Sequence, residues 1–159
     1  MAQRIDVGAV VPPRTLTAVD GTEVRLPAAD GLTHLQLRRF AGCPVCNLHL
    51  QSVAARHGEI EAAGVTELVV FHSRDEELEP QVRGLPFAVV GDPHKHLYVE
   101  LGAESSVRAM ADPRAWPAIA RGLVRSLGLI VRGRGKAPAL FPEGRRWGLP
   151  VDLLLTPSG

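Results

Sequence analysis

Two thiols could carry chemistry in this chain. Cys43 and Cys46 are its only cysteines, separated by Pro44 and Val45. They fall where a strand-like run meets a helix-like run. A C-x-x-C in that setting, with no other thiol to pair with, reads first as a redox couple. Thiol chemistry needs a thiolate, and the amino end of a helix offers unpaired N–H groups and about half a positive charge to hold one. The spacing puts the second sulfur within one helical turn of the first, so a small disulfide ring can close. Cys43, at or just before the first turn, is expected to be the exposed attacking sulfur. Cys46, facing inward, is expected to resolve the intermediate. The competing readings are two inert buried thiols or half of a zinc site. Zinc needs four ligands, there is no second C-x-x-C, and His49 alone does not complete a set. No metal or cofactor is therefore expected.

The elements that would position the pair follow from periodicity. Thr33 to Phe40 alternates, with Leu35 and Leu37 facing one way and His34, Gln36 and Arg38 the other, so a strand runs straight into the cysteines. Pro44 to Ala63 reads as one helix, with Pro44 suited to its first turn and Gly64 to its end. Cys46, Leu50, Val53, His57 and Ile60 share one face of it. Upstream, Asp20-Gly21 between short apolar runs signals a hairpin. Downstream, Glu67 to Phe71 reads as a buried parallel strand. Asp75 to Val82 reads as a short helix with Ser73 as a cap, although Pro80 opposes an unbroken one. A strand over Pro86 to Val90 and a helix over Lys95 to Leu101, closed by Gly102, come next. Trp116 to Val131 has a helical pattern, Gly133 to Gly148 is a glycine-, proline- and arginine-rich loop, and Val151 to Leu155 is a last strand. Strands alternating with helices predict an α/β fold with a mixed, mostly parallel sheet.

At 159 residues a single domain with its own core is expected. Its formal net charge of +1 gives no general pull toward nucleic acid or membrane. The first residues lack a signal-peptide pattern, and no run approaches the roughly 20 apolar residues of a membrane span. These features predict a cytoplasmic protein, where a lone cysteine pair is more often catalytic than structural.

Other residues compete for a role near the thiols. Arg38 and Arg39 precede the cysteine loop, and a guanidinium there would favour the thiolate; a salt-bridged strand end is the alternative. A central parallel strand is normally apolar on both faces, so the side holding His34, Gln36 and Arg38 must find partners. His72, after an apolar strand, falls at the carboxyl edge where ligand crevices form, and could shuttle protons to Cys43 or be an ordinary loop histidine. Arg121, Arg125, Arg132, Arg134 and Lys136 give the late helix and loop a basic face, read as a solvated surface or a partner contact.

The run from Leu35 to Leu50, L-Q-L-R-R-F-A-G-C-P-V-C-N-L-H-L, resembles the peroxiredoxin-like branch of the alkyl hydroperoxide reductase/thiol-specific antioxidant (AhpC/TSA) family, within the thioredoxin-like superfamily. P-F-A-V-V-G-D-P-H-K-H-L-Y-V-E-L-G, Pro86 to Gly102, is similar to that family's strand and following helix. Leu149 to Gly159 resembles the superfamily's strand after a cis-proline. The resemblance implies a thioredoxin-like mixed sheet flanked by helices, with an N-terminal hairpin extension over residues 1–30, a helical and loop insertion over 112–148, and a sheet incomplete at its C-terminal side. It also implies that Pro150, with Leu149, lies beside the cysteine loop and docks a substrate backbone.

The chain departs from the family's pattern. Where typical members carry Pro-x-x-x-Thr/Ser-x-x-Cys, the positions here are Gln36, Phe40 and Cys43. The hydroxyl that would hydrogen-bond a peroxide is missing. The partner arginine falls at or near Pro150, leaving Arg145 or Arg146 to substitute from the loop. These losses weaken a peroxidase and leave disulfide exchange intact. The expected function is a thiol-dependent oxidoreductase acting on a disulfide or peroxide, restored by an external thiol reductant. The alternative is a non-enzymatic redox sensor or adaptor using the same pair as a switch. An edge strand left uncovered at the C-terminal side would favour homo-oligomers.

Overall fold

The strand that leads into the cysteines is central. A computed structural model describes residues 5–103, 124 and 150–159. In it β3 (Leu32–Arg38) lies between β4 (Val65–Phe71) and β6 (Val151–Leu155), and β5 (Ala88–Gly91) flanks β4, giving the order β5-β4-β3-β6. The β3–β4 and β4–β5 pairs are parallel and β6 runs antiparallel to β3. A separate hairpin, β1 (Arg14–Thr17) with β2 (Glu23–Leu26), turns at Asp20-Gly21, where Gly21 takes φ +85°. This is the mixed α/β sheet flanked by helices that the sequence predicts. The expected features at 112–148, together with Arg145, Arg146 and Leu149, lie outside the described residues.

Strand parity divides the core in two. Leu35, Leu37, Leu68, Val70 and Leu155 point to one face, packed by Leu97 and Tyr98 of α4 (His96–Glu100) and by Val11, Ala18 and Leu26 near the hairpin. Val69, Phe71 and Val89 point to the other, packed by Cys46 and Leu50 of α1 (Pro44–Ala55) and Leu78 of α3 (Asp75–Val82). The cysteines therefore belong to the second layer.

The predicted helix over Pro44 to Ala63 is two helices. Arg56 takes φ −113° and ψ 12°, which ends α1 and starts α2 (His57–Ala62). The apolar face continues across the break with His57 against Phe87, rings 5.8 Å apart. Gly31, at φ +71°, allows the close approach that starts β3: a Cβ there would lie 2.2 Å from the Gly64 carbonyl oxygen. Pro80 does sit inside α3, in its last turn, where its missing N–H removes one of the few hydrogen bonds of this short helix. Ser73 does not cap that helix; Arg74 holds the cap position without a side-chain bond. No described helix is long and apolar enough to cross a membrane.

Candidate active site

Cys43 is the N-cap residue of α1, with extended backbone (φ −61°, ψ 116°), and Pro44 begins the helix. Its carbonyl accepts the first helical bond from the Asn47 N–H at 2.9 Å, and its own N–H donates to Phe40 at 3.2 Å. Two further bonds tie the loop to the end of β4. The Ala41 N–H donates to Ser73 Oγ at 2.9 Å, and the His72 N–H to the Arg39 carbonyl at 3.3 Å. Ser73, a cap candidate by sequence, instead turns toward the cysteine layer through its alternation with Phe71.

Both sulfurs are free thiols and both are buried, Cys43 at 3% exposure and Cys46 at 5%. The expectation of an exposed Cys43 is thus corrected. Phe71, Leu50 and α3 close over the cap, leaving a recess of about 10 Å³ lined by Cys43, Asn47, Leu78, Gln81 and Val82. That is room for roughly one water-sized molecule. Cys46 keeps its proton strongly: its thiol is hydrogen-bonded to Cys43, and burial pushes it up further. A backbone bond from Arg39 and the charge of Arg38 pull the other way.

The polar side of β3 finds its partners across both neighbouring strands. His34 Nδ1 lies 3.0 Å from Glu67 on β4. Gln36 Nε2 donates to Glu67 Oε2 at 2.6 Å. The Gln36 side-chain oxygen, Oε1, accepts from Arg38 Nε at 3.1 Å. Arg38 Nη2 donates to Asp152 on β6 at 2.5 Å, and Asp152 closes the ring back to His34 Nε2 at 3.3 Å. Hydrogen bonds to Asp152 and Glu67 raise His34 to about 9. Burial pushes the Glu67 carboxyl up, but His34 and Gln36 outweigh it and leave it lowered; His34 and Arg38 likewise lower Asp152.

The remaining sequence candidates are placed differently. Arg38, not Arg39, shares the cysteine-facing side of the sheet; the Arg39 guanidinium lies over the Phe40 ring at 5.7 Å. His72 is not brought to the thiols. It is 0% exposed and packs edge-on against Tyr98, ring centroids 5.7 Å apart, in the opposite core layer. Strand alternation explains this, since Phe71 and Ser73 take the cysteine side. Burial first, then the charge of Lys95, lowers His72 to about 4. Pro150 is exposed and directly precedes β6. A cis peptide is present at Leu26–Pro27. Among the described residues no group of three or more His, Cys, Asp and Glu side chains is arranged to hold a metal.

The two histidines predict a stability maximum near neutral pH. The folded state holds the His34 proton more tightly than the unfolded chain does. That contribution is full below about 6.5 and is lost as pH rises through 9. His72 is held neutral, so stability falls as pH drops from about 6.5 toward 4. The acid limb is expected to cost about 2–3 kcal/mol, and the alkaline limb about 1–2 kcal/mol because His34 is partly wet. Urea midpoints measured from pH 4 to 10 check both. His72→Leu should flatten the acid limb and His34→Gln the alkaline one.

Comparison with known proteins adds independent findings. A family model described as the AhpC/TSA family matches residues 7–126. No curated protein matches the chain in sequence. Among solved structures, peroxiredoxin Q of Xanthomonas campestris aligns at TM-score 0.60 and 17% identity, over 92% of this chain and 75% of that one. Peroxidoxin BcpB of Mycobacterium tuberculosis aligns at 0.57 and 16%, over 63% and 68%. A Chlorobium tepidum protein assigned as a thiol:disulfide interchange protein, DsbE, aligns at 0.55 and 18%, over 64% and 73%. Across such matches the chain covers as little as 48% of the other protein's length. At these identities the likeness speaks for the fold.

Proposed function

The chain belongs to the AhpC/TSA family, and from that premise we propose that it is a thiol-dependent redox enzyme in which Cys43 and Cys46 run a dithiol–disulfide cycle. The observation that carries this reading is geometric: Cys43 is the N-cap residue of α1 and Cys46 follows within one turn in the same packed layer. That placement makes Cys43, at the amino end of α1, the sulfur that acts first.

With a peroxide ROOH, the Cys43 thiolate attacks one oxygen. The S–O bond forms, the O–O bond breaks, and ROH leaves after taking a proton. Cys46, once ionised, attacks the Cys43 sulfenic acid. The S–S bond forms, the S–O bond breaks, and the departing hydroxide takes up the proton as water. Two electrons pass from the dithiol to the peroxide, and an external thiol reductant returns them. The small volume of the recess favours a peroxide over a folded protein disulfide as first reactant. Phe40, in the place of a hydroxyl, argues the other way and keeps a disulfide substrate in play. Burial of both sulfurs supports the second reading, a redox switch without turnover; the same first step would then proceed slowly and only once.

The test is one equivalent of hydrogen peroxide added to fully reduced protein. The expected product is a Cys43–Cys46 disulfide, two hydrogens lighter by intact mass, which cycles again when a dithiol reductant is supplied. Thiols that survive the peroxide unchanged, or that pass directly to sulfinic acid, would overturn the cycle. A disulfide that forms without repeated turnover would select the switch.

A further inference from the structure

The ring formed by His34, Glu67, Gln36, Arg38 and Asp152 is not explained by stability. Apolar side chains on a central strand commonly serve as well as or better than buried ion pairs. The ring also has a direction. Gln36 donates to Glu67 and accepts from Arg38, which fixes its amide, and Asp152 takes Arg38 through both of its oxygens. The guanidinium, 5% exposed, is thereby held at the carboxyl end of β3. The sheet register pairs Arg38 with Phe71, and Phe71 belongs to the same packed layer as Cys46. Arg38 therefore lies on the face over which the first turn of α1 is laid.

We propose that Arg38, held by Gln36 and Asp152, is a positioning residue for the second half of the cycle, its charge stabilising the Cys46 thiolate as that sulfur attacks Cys43. This rests on the dithiol reading above and adds to it a buried cation that helps a reluctant thiol ionise. The groups acting on Cys46 come from every side. Cys43 raises it from the same helix, and the neutral Tyr98 phenol approaches from α4 while donating to the Arg38 and Val70 carbonyls. His49, one turn on, is held toward its neutral form by burial and then by Arg38 itself. Arg39 offers its backbone. Asp152 is engaged by Arg38 and His34, and Glu67 by His34 and Gln36. Arg38 is a buried cation on this face whose charge favours the Cys46 thiolate, adding to the backbone bond from Arg39.

The experiment follows disulfide closure after one-equivalent oxidation of Cys43, as a function of pH, in the parent, Arg38→Gln and Arg38→Lys. Arg38→Gln is expected to slow closure about tenfold at neutral pH and to move its pH midpoint up by about one unit. Arg38→Lys should restore most of both. A Gln variant with the parental profile overturns the proposal, as does a Lys variant no better than Gln. If Arg38→Gln does not fold, Arg38→Gln with Asp152→Asn keeps the charge balance and is read against the same two outcomes. Cys46 is also titrated by thiolate absorbance in a Cys43→Ser background, with and without Arg38→Gln. That measurement needs no cycle: an unmoved titration sinks the role of Arg38, whereas a parent that never closes its disulfide sinks the dithiol reading alone.

Discussion

Cys43→Ser is expected to remove turnover of both peroxide and disulfide substrates, by a factor on the order of 10³ or more, because an alcohol supplies no comparable nucleophile at neutral pH. Cys46→Ser is expected to behave differently. The first oxidation survives, the sulfenic acid at Cys43 persists long enough to be trapped by a carbon acid, and each molecule stops after one event unless an added thiol resolves it. The asymmetry comes from position, with Cys43 capping α1 and Cys46 lying a turn inside it, so the variants must not be interchangeable. Rapid-quench mass spectrometry on the two proteins separates them. A Cys43→Ser protein that still forms sulfenic acid at Cys46 at the parental rate would reverse the assigned roles. Two variants that retain full activity would remove the pair from the chemistry altogether.

What the sequence could and could not disclose follows from how local each determinant is. The hairpin at Asp20-Gly21, the apolar run of β4 and the junction of β3 with α1 are written in contiguous residues, and the structure has them. The polar side of β3 was visible as an unmet demand, but its partners were not. Asp152 is 114 residues from Arg38, on a strand whose place beside β3 no local pattern declares. The burial of Cys43 is hidden from the sequence for the same reason. A cap residue is open or closed according to what packs over it, and here Leu78, Gln81 and Val82 come from a separate helix. His72 was a failure of parity rather than of distance. Counting on from Phe71 by the strand period would have put His72 on the far face and Ser73 on the near one. The break at Arg56 left little trace, since the apolar face runs through it unchanged.

Leu78→Ala addresses the closed recess directly. Leu78 is 0% exposed and forms part of the wall between Cys43 and solvent. Truncating a buried leucine costs about 2–5 kcal/mol, depending on how far the cavity collapses. Here the loss falls on a short helix that contains Pro80 and has no side-chain cap bond at Arg74, so local opening should carry much of it. Each 1.4 kcal/mol of easier opening raises the open population about tenfold. Alkylation of Cys43 by a bulky maleimide, which must wait for that opening, is therefore expected to accelerate at least tenfold. Reaction with hydrogen peroxide, which needs far less opening than a maleimide to enter a recess of about 10 Å³, should change by only a few-fold. Leu154→Ala, at a residue 62% exposed on the edge strand, should stay within about 0.5 kcal/mol of the parent and leave both rates alone. If the maleimide and peroxide rates rise together in Leu78→Ala, the recess is not the small-molecule entrance, and the case for a peroxide as first reactant falls. If stability drops and neither rate moves, α3 does not gate the thiol and access must come from the loop held by Ser73.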